Sequence, residues 1–159
     1  MLNTSIGGLI SSVIGKSMTP RVVQFGWDGG VLYESLTRAF SSFKLDVVPD
    51  FGHSSEDEEG APADVNFCSP DLIQNSPEKG HDFSVVDPEF KQLSLALYMS
   101  LEGIVAENGL IVVPGGEDTP RCRQLLYEMV QEGTIKCNSG TYSSVLIYEI
   151  HNGKMVEML

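Results

Sequence analysis

The sequence predicts an α+β domain: a mixed sheet of about five or six strands, three main helices and an antiparallel C-terminal hairpin. Three observations carry that reading. The stretch Arg21-Val22-Val23-Gln24-Phe25 runs through a glycine turn into a helical pattern, and Leu110-Ile111-Val112-Val113 does the same. A long periodic apolar stretch after Asp87-Pro88 supplies a central helix. Asn152-Gly153 stands between two β-type runs, the strongest short hairpin signal in the chain. A three-layer α/β arrangement is the alternative, because strand–Gly-Gly–helix–strand occurs twice, at 21–48 and 110–137.

In chain order, residues 1–17 form an N-terminal arm ahead of a single domain at 18–159. Ile6, Leu9, Ile10, Val13 and Ile14 fall at intervals of three and four, one face of a helix. Residues 21–25 read as a strand, and Gly26-Trp27-Asp28-Gly29-Gly30 as a turn. Val31 to Phe43 reads as a helix with Leu32, Leu36, Ala39, Phe40 and Phe43 on one side. Asp28 is placed to cap it. Leu45-Asp46-Val47-Val48 is the next strand, and the whole unit implies a right-handed parallel crossover. Between 49 and 87 the pattern dissolves into prolines and an acidic run, Ser54-Ser55-Glu56-Asp57-Glu58-Glu59, which predicts an irregular insert.

Asp87-Pro88 opens the longest helical pattern, with Phe90, Leu93, Leu97, Leu101 and Ile104 inward and Asn108-Gly109 as its stop. The buried strand 110–113 ends in Pro114-Gly115-Gly116. Thr119-Pro120 starts a helix to Glu132, closed by Gly133. Thr134 to Cys137, Tyr142 to Ile150 and Lys154 to Leu159 complete the β content.

At 159 residues the chain suits one domain with a sizeable core. Its 10 Lys+Arg against 22 Asp+Glu give a net charge of −12, which repels phosphate backbones and anionic membranes. The sequence therefore predicts no nucleic-acid and no membrane partner. A winged-helix reading of the helix–hairpin ending meets the same objection: residues 82–159 hold five basic against eleven acidic residues. Cys68, Cys122 and Cys137 form neither a disulfide framework nor a metal motif. With no signal-peptide pattern at the N-terminus, they predict free thiols in an intracellular, cytoplasmic protein. His53 and His81 lack metal-ligand spacing, so no metal is expected.

Two Gly-Gly loops are the candidate anion site: Gly29 and Gly30 after the first strand, Gly115, Gly116 and Thr119 after the later one. Backbone N–H groups at a helix N-terminus bind anions. Glu117 and Asp118 oppose that role, and neither loop matches a Walker or dinucleotide fingerprint. Leu110 to Gly116 resembles the Pro-Gly-Gly segment of the class I glutamine amidotransferase-like superfamily, a likeness that implies Cys137 as nucleophile. The same stretch is similar to the Pro-Gly-Gly-x-Gly-Thr-x-x-Glu loop of lysine-decarboxylase-like phosphoribohydrolases. Here Asp118 stands where that loop has glycine, and Cys122 where it has the catalytic glutamate. A Cys–His pair from Cys137 or Cys122 with His151, His53 or His81 lacks any local base or positive charge.

With no intact catalytic motif, the sequence favours a non-catalytic protein-interaction or assembly module. A regulatory or virus-type accessory protein, binding a protein partner or itself and needing no cofactor, fits that description. Trp27 and the apolar arm (Ile6, Leu9, Ile10, Val13) are its expected contact residues. The second expectation is a small nucleotide- or phosphate-binding enzyme that uses the Pro114-Gly115-Gly116 loop.

Overall fold

The structure is a computed structural model and describes residues 19–50, 59–69, 80–136 and 145–157. The N-terminal arm, His53 and Cys137 lie outside the described residues. The elements are β1 (Arg21–Phe25), α1 (Val31–Ala39), β2 (Lys44–Val48), β3 (Val65–Phe67), β4 (His81–Val86), α2 (Leu93–Met99), β5 (Val105–Pro114), α3 (Pro120–Gln131), β6 (Ile135–Lys136), β7 (Val145–His151) and β8 (Lys154–Glu157).

All eight strands join one sheet in the order β3-β2-β1-β4-β5-β7-β8-β6, rather than the five or six expected. The first five are mutually parallel, and β7 runs antiparallel to both β5 and β8. The sheet is mixed, as expected, and its parallel half is of the open α/β kind. Side chains alternate between its faces. Val23, Phe25, Ile111 and Val113 pack with Leu93 and Leu97 of α2 and Leu126 and Met129 of α3. Val22, Val47, Phe83, Val85 and Val112 pack with Leu32 and Leu36 of α1. Helices thus lie on both faces, the three-layer alternative.

Two segments differ from expectation. The irregular insert read over 49–87 contains β3 and also β4, which lies between β1 and β5 in the sheet. Polar residues hid β4. His81 and Ser84 are 2% and 0% exposed. His81 meets Asp46 at 2.6 Å, and the Ser84 hydroxyl meets that of Ser100 at 2.8 Å. The His81 Nε2 and the Ser84 hydroxyl each have a partner, while His81 Nδ1 is buried without one, so the strand tolerates residues that break an apolar run. Secondly, the helix expected to continue to Asn108 turns through a π-type turn at Ser100–Ile104, where Gly103 has φ 141, and β5 begins at Val105. A register shift between β4 and β5 follows, with His81 opposite Val105 but Phe83 opposite Leu110. Asn108, at φ 68, turns the chain within that bulge.

The expected C-terminal hairpin forms: β7 and β8 pair from His151↔Lys154 to Tyr148↔Glu157, with Asn152 and Gly153 both at positive φ. Gly133, at φ 80, ends α3.

Burial by itself would raise the Asp46 carboxyl, but hydrogen bonds from His81 and Asn66 and the charge of Arg21 hold it below the ordinary carboxylate value. A depressed folded pKa contributes stability above the unfolded value that is lost as pH falls through the folded one. The stability gap between wild type and Asp46→Asn is therefore expected to be full at pH 7. It should close as pH drops below 3.8, measured by urea unfolding across pH.

Candidate functional site

In an open parallel sheet, ligands bind beyond the carboxyl ends of the strands where chain order reverses. Here that point lies between β1, which continues outward to β2 and β3, and β4, which continues to β5. The crevice is lined by the loop after β1, the end of β2 and the turn after β4.

The loop after β1 begins at Gly26, whose N–H donates to the Val48 carbonyl at 2.9 Å. Its φ is 100, and a Cβ there would stand 3.0 Å from the Asp87 Cβ and 3.3 Å from Oδ2. Glycine is needed for both reasons. The Asp28 carboxylate fills the N-terminus of α1: Oδ1 accepts from the N–H groups of Gly30 and Val31, and Oδ2 from that of Leu32, each at 3.1 Å. The expected cap is present, although it reaches from two residues before Gly30. It also takes the amides that an anion would need, so the Gly29-Gly30 turn is not an open phosphate cradle.

Trp27 is half-buried and meets Phe67 edge-on at a centroid distance of 5.2 Å, with its ring beside Gly30. Two further carboxylates border the crevice. Asp50, just past β2, accepts from the Lys91 N–H at 3.1 Å, and Asp87, just past β4, accepts from the Glu89 N–H at 2.9 Å. Phe90 packs edge-on against Phe25, with 5.8 Å between ring centroids.

The second Gly-Gly loop reaches the same sheet edge after β5, but β4 stands between it and β1. Two strand spacings separate the loops by about 10 Å. Gly116 is buried, and a Cβ on it would lie 2.9 Å from Val113 Cγ1 and 3.1 Å from Leu146 Cδ1, so it serves packing. The Thr119 hydroxyl donates to the Gly115 carbonyl at 3.1 Å, which also accepts from the Asp118 N–H. Thr119 donates its own N–H to Gly116 at 3.3 Å. The loop spends these donors on its own turn.

No Cys–His pair forms among the described residues. His81 is held by Asp46, and His151 meets Glu149 at 2.9 Å. Burial pushes the Cys68 thiol up to about 12 and the Cys122 thiol up to about 11, the latter against the pull of Arg121. Fewer than about one in a hundred of either is thiolate at pH 8. A disulfide reagent such as DTNB is expected to leave Cys68 and Cys122 unmodified in the native protein at that pH. Rapid modification of either, mapped by mass spectrometry, would contradict this. The described residues also hold no cluster of three or more His, Cys, Asp or Glu placed for a metal, and no helix among them is long and apolar enough to cross a membrane.

No family model and no curated protein matches the sequence. The fold does have close likenesses. A protein of Staphylococcus aureus assigned as a caffeoyl-CoA O-methyltransferase superposes with a TM-score of 0.67 at 10% identity, over 91% of this chain and 82% of its own. The plantazolicin methyltransferase BamL, solved with S-adenosyl-L-homocysteine (SAH), gives 0.58 at 14% identity over 82% of this chain. An assigned S-adenosyl-L-methionine-dependent methyltransferase of Methanococcus maripaludis gives 0.52 at 14%, also over 82%. This chain spans 62% of BamL and 64% of the Methanococcus protein. The fold is the Rossmann-like α/β fold of these methyltransferases.

That likeness overturns the expectation of a non-catalytic protein-binding, virus-type accessory module. The sequence reading took the lack of a familiar catalytic motif as lack of chemistry, whereas these methyltransferases are catalytic proteins with 10–14% identity to this chain. Sequence reasoning also missed Asp50 and Asp87, because both border the stretch read as a solvated insert. One signal was available: Asp50 follows Gly30 by 20 residues, the interval at which an acidic residue after the second strand meets a ribose in dinucleotide folds.

Proposed function

We propose that this chain binds S-adenosyl-L-methionine in the crevice over β1, β2 and β4 and acts as a methyltransferase. The observation that carries the proposal is the acidic, glycine-lined crevice at the switch point of a methyltransferase-type sheet. The cofactor supplies a methyl group on a positively charged sulfur. The chain's own groups suit such a ligand better than a dinucleotide. The amides at the start of α1 are consumed by Asp28, which disfavours a pyrophosphate there. The carboxylates of Asp28, Asp50 and Asp87 make the crevice attractive to a cation and to hydroxyl and amino donors. Asp50 stands just past the end of β2, where a carboxylate can accept hydrogen bonds from a ribose diol. Gly26 lets the loop lie close to Asp87, so that the ligand meets backbone rather than a side chain.

Titration calorimetry with SAH tests this. Wild type is expected to bind, and Asp50→Ala to bind about 10–100-fold more weakly, the value of charge-assisted hydrogen bonds to a diol. Equal affinity in the two proteins would exclude the role given to Asp50.

A further inference from the structure

A second cavity lies beside α3 and β7, on the far side of β5 from the crevice. It has a volume of about 660 Å³ and runs beside α3 over β7. Its length is that of α3, about 18 Å for 12 residues. Leu126, Val130, Leu146 and Tyr148 give it an apolar wall, and Tyr127, 61% exposed, stands at its rim. Tyr127 leaves an aromatic ring open beside this apolar recess, where a flat ligand can stack or pack on it. Two charged side chains face the cavity: Glu117 at the end where β5 finishes, and Arg123 within α3. Among the described residues neither makes a hydrogen bond or ion pair through its side chain.

An unpaired guanidinium is conspicuous in a chain with 22 acidic residues and 10 basic ones. The neighbouring Arg121, by contrast, donates to the Phe90 carbonyl and is occupied in holding α3 to the turn after β4. Arg123 therefore offers its planar fork to something outside the fold. A carboxylate matches that fork with two parallel hydrogen bonds. Glu117 repels the same group, which fixes the orientation: the acid end seats at Arg123, and an uncharged hydroxyl or amino end can donate to Glu117.

We propose that this groove is the acceptor side of the site and takes a small, flat, apolar molecule bearing one carboxylate, held by Arg123 against Tyr127, Leu126 and Leu146. The role of acceptor rests on the methyltransferase reading; the binding itself does not.

The test titrates 2-naphthoate and its uncharged analogue 2-naphthamide into wild type, Arg123→Gln, Arg123→Lys and Tyr127→Ala, followed by calorimetry and by methyl NMR of Val130 and Leu146. SAH affinity is measured in the same samples. Arg123 and Tyr127 are exposed, so these variants keep the fold. Wild type is expected to bind naphthoate at least about tenfold tighter than the amide. Arg123→Gln should erase that preference, Arg123→Lys should keep part of it, and Tyr127→Ala should weaken both ligands, with SAH binding unchanged throughout. Equal affinity for acid and amide, no binding of either, or a preference that survives in Arg123→Gln would overturn the groove. If SAH still binds in that case, the methyltransferase reading stands. If naphthoate binds as expected and SAH does not, the groove stands and its role as acceptor site falls with the methyltransferase reading.

Discussion

Gly26→Val is expected to abolish SAH binding and to lower the melting temperature by several degrees. The backbone at this position has φ 100, a region in which a β-branched residue is a true outlier. The conformation alone costs roughly 1–2 kcal/mol for a residue with a Cβ. The added carbon would also press at 3.0 Å on the Asp87 Cβ, and the second branch would crowd Phe90, whose Cδ1 is 3.6 Å from the same point. Relief requires the loop after β1 to move away from the turn after β4, which separates the two walls of the crevice. A cost of about 2 kcal/mol corresponds to roughly 4–8 °C for a domain of this size. Differential scanning calorimetry reads the stability and titration with SAH the binding. A Gly26→Val protein that binds SAH like wild type would mean that the ligand lies elsewhere.

Gly109→Ala is expected to cost still more stability while leaving the crevice chemistry in place. A Cβ at this position would sit 2.4 Å from Val105 Cγ1, 2.9 Å from the Ala106 carbonyl oxygen and 3.0 Å from that of Asp82. Two of those neighbours are backbone atoms of the bulge and of β4, so no rotamer change clears them. Overpacking of this kind costs about 3 kcal/mol, or roughly 6–12 °C in melting temperature. Because the strand pairing of β4 with β5 resumes at Phe83↔Leu110, the strain falls directly on the centre of the sheet. A melting temperature within a degree of wild type would show that the bulge can rearrange.

These two glycines also show how far the sequence can be read. The unit β1–α1–β2 was legible because its apolar residues follow simple periods, and Asp28 was legible as a cap because the residue type and spacing are local. The extent of α3 and the turn of the final hairpin were legible for the same reason. In the sequence Gly109 reads as a helix stop, since Leu101, Ile104 and Val105 continue a helical period. The structure instead turns the chain at Gly103 and uses Gly109 where β4 passes close by. That contact joins residues 82 and 109, and no local window contains it.

The same limit applies to β4 and to the crevice. His81 and Ser84 look like loop residues until Asp46 and Ser100, distant in sequence, satisfy them. Without β4 in the sheet, Asp87 has no strand end to occupy and Asp50 no neighbour across the crevice. The Gly26–Gly30 turn at the end of a strand was visible from the outset, but its partners depended on sheet order. Gly116 and Thr119 attracted an anion reading through residue type alone. Their tight packing and internal hydrogen bonds became visible only with the loop's geometry.

Trp27 is the sole tryptophan in the chain and lies in the loop after β1, against Gly30 and Phe67. Its fluorescence is therefore a direct reporter on the crevice. Titrating SAH into the wild-type protein while recording Trp27 emission is the most direct test of a cofactor site over β1, β2 and β4. A saturable change is expected, competed by S-adenosyl-L-methionine and not by NAD. An emission spectrum that stays constant at millimolar SAH, with calorimetry showing no heat of binding, would contradict it.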